Sequence, residues 1–234
     1  MLQERIEGKW LASFRRVFAL NGIGQGTRVA LISETQSRPV LVHLSELALY
    51  DLGADFCMLK MVTPPQTAPV PVKGTGTSLA VQGNRAAIEA MKQCEIVVDC
   101  TVEGMIHSPE WPEIEGAGAR ILVVTNEHPE ILERTEPFAE LGPKVDLGVR
   151  MLQDASEMHV TSAAGTDLLV NLKDAPCGGT PGFGTNPGHV AHWPGGLCLA
   201  FPGMDSVNGR IVTDVGDMNL TFTTYLTSQI DFTV

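Results

Sequence analysis

The feature that most constrains the fold is a series of short, continuously apolar segments that alternate with helical patterns. The apolar segments are RVALISE (28–34), DFCMLKMV (55–62), EIVVDCT (95–101) and RILVVTN (120–126). Between them, residues 38–54 and 84–94 show the periodicity of helices. Strands that are apolar on both faces are typical of a parallel sheet that is covered by helices on each side. The pattern therefore predicts an α/β fold with a doubly wound, mainly parallel sheet.

This pattern extends over residues 1–155, which we assign to an N-terminal α/β domain. Apolar residues recur at helical spacing in the first 20 residues, which predicts an amphipathic helix that packs on the sheet. Two further helices are expected at HPEILERT and KVDLGVRMLQDAS. The connector 63–78 is too rich in proline and glycine for a regular element. In such a sheet, a binding crevice is expected at the carboxyl ends of the strands.

After residue 155, the sequence changes to alternating patterns with frequent turn signals. Residues 157–172 predict two strands that are joined by a turn at Gly165, and further strands are expected between residue 197 and the C-terminus. We assign 156–234 to the start of an antiparallel, β-rich α+β domain. The last strand runs into the C-terminus without a cap or turn, so we expect an incomplete domain. Its unpaired edge favours a homo-oligomer.

Charge and composition narrow the range of partners. The net charge is -11 and the basic residues are scattered, so nucleic acid is not an expected partner. No apolar run reaches the ~18 residues that a membrane span requires. The five cysteines form no CxxC motif, which favours a reducing, cytoplasmic setting over a disulfide framework or a zinc ribbon. The glycine-rich NGIGQG precedes the first strand, which is the wrong context for a dinucleotide site.

Histidines near strand ends are the candidates for chemistry. His107 follows the third strand, where a general base could reach a bound substrate. Alternatively it begins a helix that Ser108 caps, with Pro109 at the first helical position. His192 in GHVAHWPGG could bind a hydroxyl group and exchange a proton near neutral pH, or bind a carbonyl within a turn. His189 could join it at a metal ion, although no third ligand follows at a fixed spacing.

Trp193 and His128 are two further candidates. Trp193 offers a flat apolar face for an aromatic ring. His128 also follows a strand, but we expect Asn126 or Glu127 to cap the helix that begins at Pro129.

Four blocks of the sequence, taken in order, resemble the 2,5-dihydroxypyridine 5,6-dioxygenase family. They are EIVVDCTVEGMIHSPEW, GARILVVTNEHPEIL, MHVTSAAGTDLLVNL and HWPGGLCLAFPGMDSVNGRIVTDVGD. That family is related in fold to the M29 aminopeptidases of the aminopeptidase T type. In the peptidases a glutamate that helps to bind two metal ions stands where this chain has Leu197, which cannot ligate a cation. The resemblance therefore favours the dioxygenases.

The resemblance implies a non-haem Fe(II) enzyme that opens a hydroxylated pyridine ring with O2. The residues that it implies in or near the substrate pocket are His107, His192, Trp193 and Thr180. His189 does not match the family pattern and is a candidate substrate contact from the residues alone. The resemblance implies iron ligands beyond Val234, so we assign no metal ligand in this chain. An M29-like metalloaminopeptidase and a non-catalytic domain without the metal ligands are the alternatives.

Overall fold

The computed structural model describes residues 5–65, 76–219 and 224–234, so most of the predicted connector lies outside the described residues. The described helices are α1 (Gly8–Leu20), α2 (Pro39–Leu52), α3 (Arg85–Lys92), α4 (Trp111–Gly116), α5 (Pro129–Arg134) and α6 (Leu141–Asp154). The described strands are β1 (Arg28–Glu34), β2 (Asp55–Met61), β3 (Ile96–Asp99), β4 (Arg120–Val124), β5 (Glu157–Thr161), β6 (Asp167–Asn171), β7 (Cys177–Thr180), β8 (Val190–Trp193), β9 (Leu197–Ala200), β10 (Val207–Thr213), β11 (Met218–Asn219), β12 (Thr224–Tyr225) and β13 (Ile230–Thr233).

Five parallel strands form the larger sheet, in the order β2-β1-β3-β4-β8. β1 pairs with β2 along its whole length, and Val29 of β1 stands opposite Ile96 of β3. All residues of β3 and β4, and all but the first of β1, are buried. This burial on both faces explains why their sequences are continuously apolar. The predicted doubly wound parallel fold is confirmed.

Helices cover both faces of this sheet. Leu31 points to the face on which α1 and α2 pack, where Phe14 and Leu44 are buried. The next residue, Ile32, points to the opposite face, where it packs with Ile88 of α3. The amphipathic helix predicted near the N-terminus is α1, and its apolar side lies on the sheet. None of the described helices has the length and hydropathy needed to cross a membrane.

The second sheet is antiparallel and has the order β13-β10-β6-β5. β5 and β6 are joined by the predicted turn, in which the Ser162 amide donates to the Thr166 carbonyl at 3.1 Å. Every residue of β5 and of β13 is exposed. The sheet confirms the predicted antiparallel region, and β13 lies at one edge of it.

The structure corrects the assignment of 156–234 to one antiparallel region. β8 returns to the parallel sheet and pairs with β4, with Val123 opposite His192. β7 and β9 form a small antiparallel sheet of their own, on which α6 packs. The strand β8 has only four residues and lies in a glycine- and proline-rich stretch. Its place depends on pairing with a strand far earlier in the chain, which a local pattern does not reveal.

Candidate functional site

A cavity of about 460 Å³ lies where β3, β4 and β8 end. Part of its wall is the loop after β3, with Thr101, Glu103 and His107. The segment after β4 contributes Thr125, Asn126 and Glu127, and β8 contributes His192. This is the carboxyl edge of the parallel sheet, where doubly wound folds place their binding crevices. The structure thus brings His107 and His192 to one cavity, as the sequence analysis expected, while their part in a reaction stays a prediction.

The ring of His192 is held in one orientation by its own strand end. Its Nδ1 lies 3.0 Å from the carbonyl oxygen of Pro194. A carbonyl oxygen can only accept, so Nδ1 carries the hydrogen of this bond. In the neutral ring, Nε2 then has a free lone pair and can accept a proton. The carbonyl contact that was the structural alternative for His192 is therefore compatible with a chemical role at the other nitrogen.

His107 lies at the exposed rim of the cavity. Its backbone amide donates to the Gly76 carbonyl at 2.8 Å. A Cβ atom on Gly76 would lie only 2.8 Å from Cδ2 of the His107 ring, and Gly76 has a φ of +66°. Glycine at this position therefore allows the imidazole to lie close against the backbone.

The predicted helix start at Ser108 is wrong. The helix α4 begins at Trp111, and its N-cap is Glu110. Ser108 instead lies in a turn, where its carbonyl accepts from the Trp111 amide at 3.0 Å and its buried Oγ has no partner among the described residues. His107 consequently belongs to the loop before the helix rather than to the helix itself.

Two buried carboxylates lie beneath the loop that leads to His107. Asp99 is completely buried, and its Oδ1 accepts hydrogen bonds from the amide and the hydroxyl of Thr101, at 2.8 and 2.7 Å. Its Oδ2 accepts from the Met105 amide at 2.7 Å. Glu34, at the end of β1, accepts from the Val102 amide at 2.7 Å. Burial raises the pKa of the Asp99 carboxyl, and the bonds from Thr101 and Met105 oppose this effect.

Several residues at or beneath this cavity were not predicted from the sequence. Asn126 and Glu127 were expected to cap a helix, but they line the cavity. The cap of α5 is His128, whose Nδ1 accepts from the Glu130 amide at 3.2 Å. Asp99 was read only as part of a strand. The available signal was an acidic residue that ends an otherwise apolar strand and has a threonine two positions later, because a buried carboxylate requires hydrogen-bond donors nearby.

Trp193 does not line the cavity, which corrects the prediction that it contacts the substrate. Its side chain is fully buried on the α1 face of the sheet, with its ring centroid 4.8 Å from that of Phe14. Its Nε1 donates to the carbonyl of Leu132 at 3.1 Å. Adjacent residues of a strand point to opposite faces, so His192 faces the cavity while Trp193 faces the core.

His189 is placed elsewhere, so the alternative in which it joins His192 at a metal ion is not supported. It lines a separate groove of about 710 Å³ beside α6, together with Asp146 and Arg150. Burial lowers the pKa of His189, and its Nε2 has no hydrogen-bond partner among the described residues. Across the part of the chain that the structure describes, no three His, Cys, Asp or Glu side chains gather as a metal site. These residues therefore do not provide a donor set for Fe(II).

Thr180 lies on β7 and is not part of the cavity lining. Its Oγ1 accepts from the Gly182 amide at 3.2 Å, and its carbonyl accepts from the Gly196 amide at 2.9 Å. Its contacts are those of a turn between strands, and its part in substrate binding stays a prediction.

The chain is similar to known 2,5-dihydroxypyridine 5,6-dioxygenases in both sequence and structure. A family model, NicX, described as 2,5-dihydroxypyridine 5,6-dioxygenase, matches residues 9–234. A 2,5-dihydroxypyridine 5,6-dioxygenase of Pseudomonas putida KT2440 is 31% identical over 221 residues, which are 93% of this chain and 62% of that protein. A solved structure of 2,5-dihydroxypyridine dioxygenase from Pseudomonas putida KT2440 superposes with a TM-score of 0.86 at 30% identity, over 96% of this chain and 65% of that one. The chain thus spans less than two thirds of these relatives.

A more distant structural relative supports the architecture alone. Wild-type AmpT from Thermus thermophilus superposes with a TM-score of 0.54 at 13% identity, over 93% of this chain and 68% of that one. Such a level of identity indicates a shared fold and carries no statement about activity.

Proposed function

The chain belongs to the 2,5-dihydroxypyridine 5,6-dioxygenase family, and on this premise we propose that it forms the substrate-facing part of a ring-cleaving dioxygenase. The partners in this proposal are a hydroxylated pyridine, such as 2,5-dihydroxypyridine, and O2. The observation that carries the proposal is that His107 and His192 line one cavity at the carboxyl edge of the parallel sheet. Two imidazoles at one cavity can serve two polar groups of the same ring.

The size of the cavity supports a small ring. Its volume of about 460 Å³ falls in the lower part of the range of ligand pockets. A single pyridine ring with two hydroxyl groups would leave part of this space for a second small reactant. The polar side chains around it, among them Thr125 and Asn126, can bind ring hydroxyl groups by hydrogen bonds.

The chain's own residues supply a proton-transfer path. The lone pair on His192 Nε2 can accept the proton of a ring hydroxyl, which leaves an anionic oxygen on the ring and an imidazolium ion. An anionic ring is more electron-rich and is more readily oxidised. Glu103 and Glu127 line the same cavity, and their side-chain oxygens can accept hydrogen bonds from ring hydroxyl groups. His107, at the rim, would bind the second polar group of the ring.

Fe(II) is part of this proposal through the family only. The described residues do not form its donor set, so we assign no step of the reaction to iron in this chain. A second candidate is a substrate-binding domain without catalysis, which the same cavity would serve. The predicted homo-oligomer also stays a prediction, which the elution volume of the chain in size-exclusion chromatography tests directly.

Binding of 2,5-dihydroxypyridine, measured by calorimetry under anaerobic conditions, tests the site. We expect His107→Asn and His192→Asn each to raise the Kd about tenfold or more, which corresponds to ~1.4 kcal/mol. His43→Asn is the matched control, because His43 is exposed on α2 and α2 packs on the other face of the sheet. No binding by the unmodified chain, or equal effects of all three substitutions, would overturn the proposal.

Oxygen uptake after reconstitution with Fe(II) separates the two candidates. Consumption of O2 that depends on both iron and 2,5-dihydroxypyridine supports the dioxygenase. Binding of the ring without any such consumption assigns the chain to the non-catalytic candidate. Hydrolysis of an aminoacyl amide with added zinc or cobalt would instead revive the peptidase alternative, against which Leu197 argues.

A further inference from the structure

A buried carboxylate lies directly under the loop that presents His107 to the cavity. We propose that Asp99 is a positioning residue, which fixes the Met105–Ser108 turn and thereby the place of the His107 ring. This inference rests on the proposed function, because the position of His107 matters for catalysis only if it meets the ring. Asp99 itself does not line the cavity and is not offered as a catalytic residue.

Both carboxylate oxygens of Asp99 bind the loop. Oδ1 accepts from the amide and the hydroxyl of Thr101, and Oδ2 accepts from the Met105 amide at 2.7 Å. Three donors converge on one fully buried carboxyl group, and a buried polar group that loses such a partner costs free energy. The loop is therefore held at its start, by Thr101, and again at Met105.

The anchored Met105 defines one end of the turn that carries His107. Its side chain is fully buried among residues of the sheet face that α3 and α4 cover. Its carbonyl accepts from the Ser108 amide at 2.9 Å, so Ile106 and His107 are the central residues of this turn. Asp99 thus reaches His107 through one hydrogen bond and one turn, without touching its ring.

Glu34 provides a matched comparison within the same structure. It is also buried, with 4% of its surface exposed, and it binds the same loop through the Val102 amide. Its Oε1 accepts this bond, whereas Asp99 uses both of its oxygens. An amide side chain has one accepting oxygen and one donating nitrogen. Glutamine at position 34 can therefore keep the bond from the Val102 amide. Asparagine at position 99 would place its NH2 group, which donates, against a donor of the loop, so at least one hydrogen bond is lost.

The test compares Asp99→Asn with Glu34→Gln in the full chain. In Asp99→Asn we expect about tenfold faster hydrogen exchange of the Met105 amide, as the loss of a buried hydrogen bond implies. We also expect a displaced NMR signal of the His107 ring, an unchanged signal of His192, and a Kd for 2,5-dihydroxypyridine raised about tenfold. In Glu34→Gln these quantities should change less than about twofold, since its bond is kept.

These readouts keep the two hypotheses apart. If the unmodified chain binds no dihydroxypyridine, the proposed function fails, but the His107 signal and the Met105 exchange still decide the role of Asp99. A folded Asp99→Asn variant in which both stay unchanged overturns the positioning role, as does an equal response of Glu34→Gln. If Asp99→Asn does not fold, Thr101→Val removes one bond to Oδ1 and must displace the His107 signal in the same direction. An unchanged signal in that variant also overturns the inference.

Discussion

The two main sheets differ in how far their own chain covers them. The parallel sheet lies between two helix layers, and its central strands β1, β3 and β4 are almost completely buried. In the antiparallel sheet, β5 and β13 are exposed at every position. The cavity with His107 and His192 is built on the edge of the covered sheet. The comparison indicates that the candidate site depends on the packed part of the molecule, because a rigid scaffold fixes the loops that carry it.

In the antiparallel sheet, strand β5 has an apolar face and a polar face. The register places Met158 and Val160 of β5 on one face, and Glu157 and His159 on the other. The apolar side chains are more than a third exposed, while the polar face carries an exposed contact between His159 Nε2 and Asp167 Oδ1 at 2.6 Å. Because this sheet buries little apolar surface, its individual side chains should contribute less to stability than those of the parallel sheet.

The largest expected effect comes from shortening a buried aromatic residue of the parallel sheet. Trp193→Ala removes a side chain with no exposed surface, and we expect a loss of about 3–5 kcal/mol in the free energy of unfolding. Phe232→Ala is the matched variant in the antiparallel sheet, where the ring is 48% exposed, and its expected loss is about 1 kcal/mol. Urea denaturation measures both. Equal losses would show that the two sheets do not differ as described.

The same contrast explains how much of the fold the sequence could predict. β1 was predicted with its observed bounds, because a run that is apolar on both faces and flanked by polar residues has few other interpretations. β8 was not recognised, since four residues carry little periodicity and its partner β4 is remote in the chain. Once β8 is known as a strand, the opposite directions of His192 and Trp193 follow from its geometry.

The candidate site was predictable only in part for a similar reason. The carboxyl-edge rule, together with the resemblance, led to His107 and His192 at one cavity. Glu127 lines the cavity and Asp99 lies beneath the loop of His107, and both placements depend on the directions of individual side chains. Such directions are set by tertiary contacts, for example the bond from the Met105 amide to Asp99, that leave no periodic trace in the sequence.

Replacing one arginine in each of the two sheets should change the free energy of unfolding by less than the aromatic substitution in the same sheet does. Arg120, at the start of β4, is 8% exposed, and its NH1 donates to the carbonyls of Asn21 and Gly184. Arg120→Met leaves these carbonyls without their donor, and we expect a loss of about 2 kcal/mol in the free energy of unfolding. Arg210 binds Asp231 on the exposed sheet, so Arg210→Met should produce no resolvable loss, since exposed ion pairs contribute little. A loss at Arg210 as large as that at Arg120 would contradict the contrast.

The smallest expected effect is electrostatic and appears in carboxyl titrations. Hydrogen bonds from Arg85 and Lys92 lower the pKa of Glu113 on α4 to about 2, and a hydrogen bond from Arg210 lowers the pKa of Asp231. Because the folded pKa of Glu113 lies below its ordinary value near 4.5, its stabilising contribution is present above that pH and is lost as the pH falls towards 2. Carboxyl NMR titration at low ionic strength should therefore find Glu113 titrating well below an ordinary glutamate.

Arg85→Met provides the control for this titration. Arg85 donates to both carboxylate oxygens of Glu113, at 2.8 and 2.7 Å, so its removal should move the pKa of Glu113 upwards while Lys92 maintains part of the shift. High salt should act in the same direction, because both partners are exposed and their attraction is screened. Asp231 lies on β13 of the antiparallel sheet and pairs with Arg210, so its pKa should not change in Arg85→Met. A Glu113 pKa near 4.5 in the unmodified chain would mean that this ion network does not persist in solution.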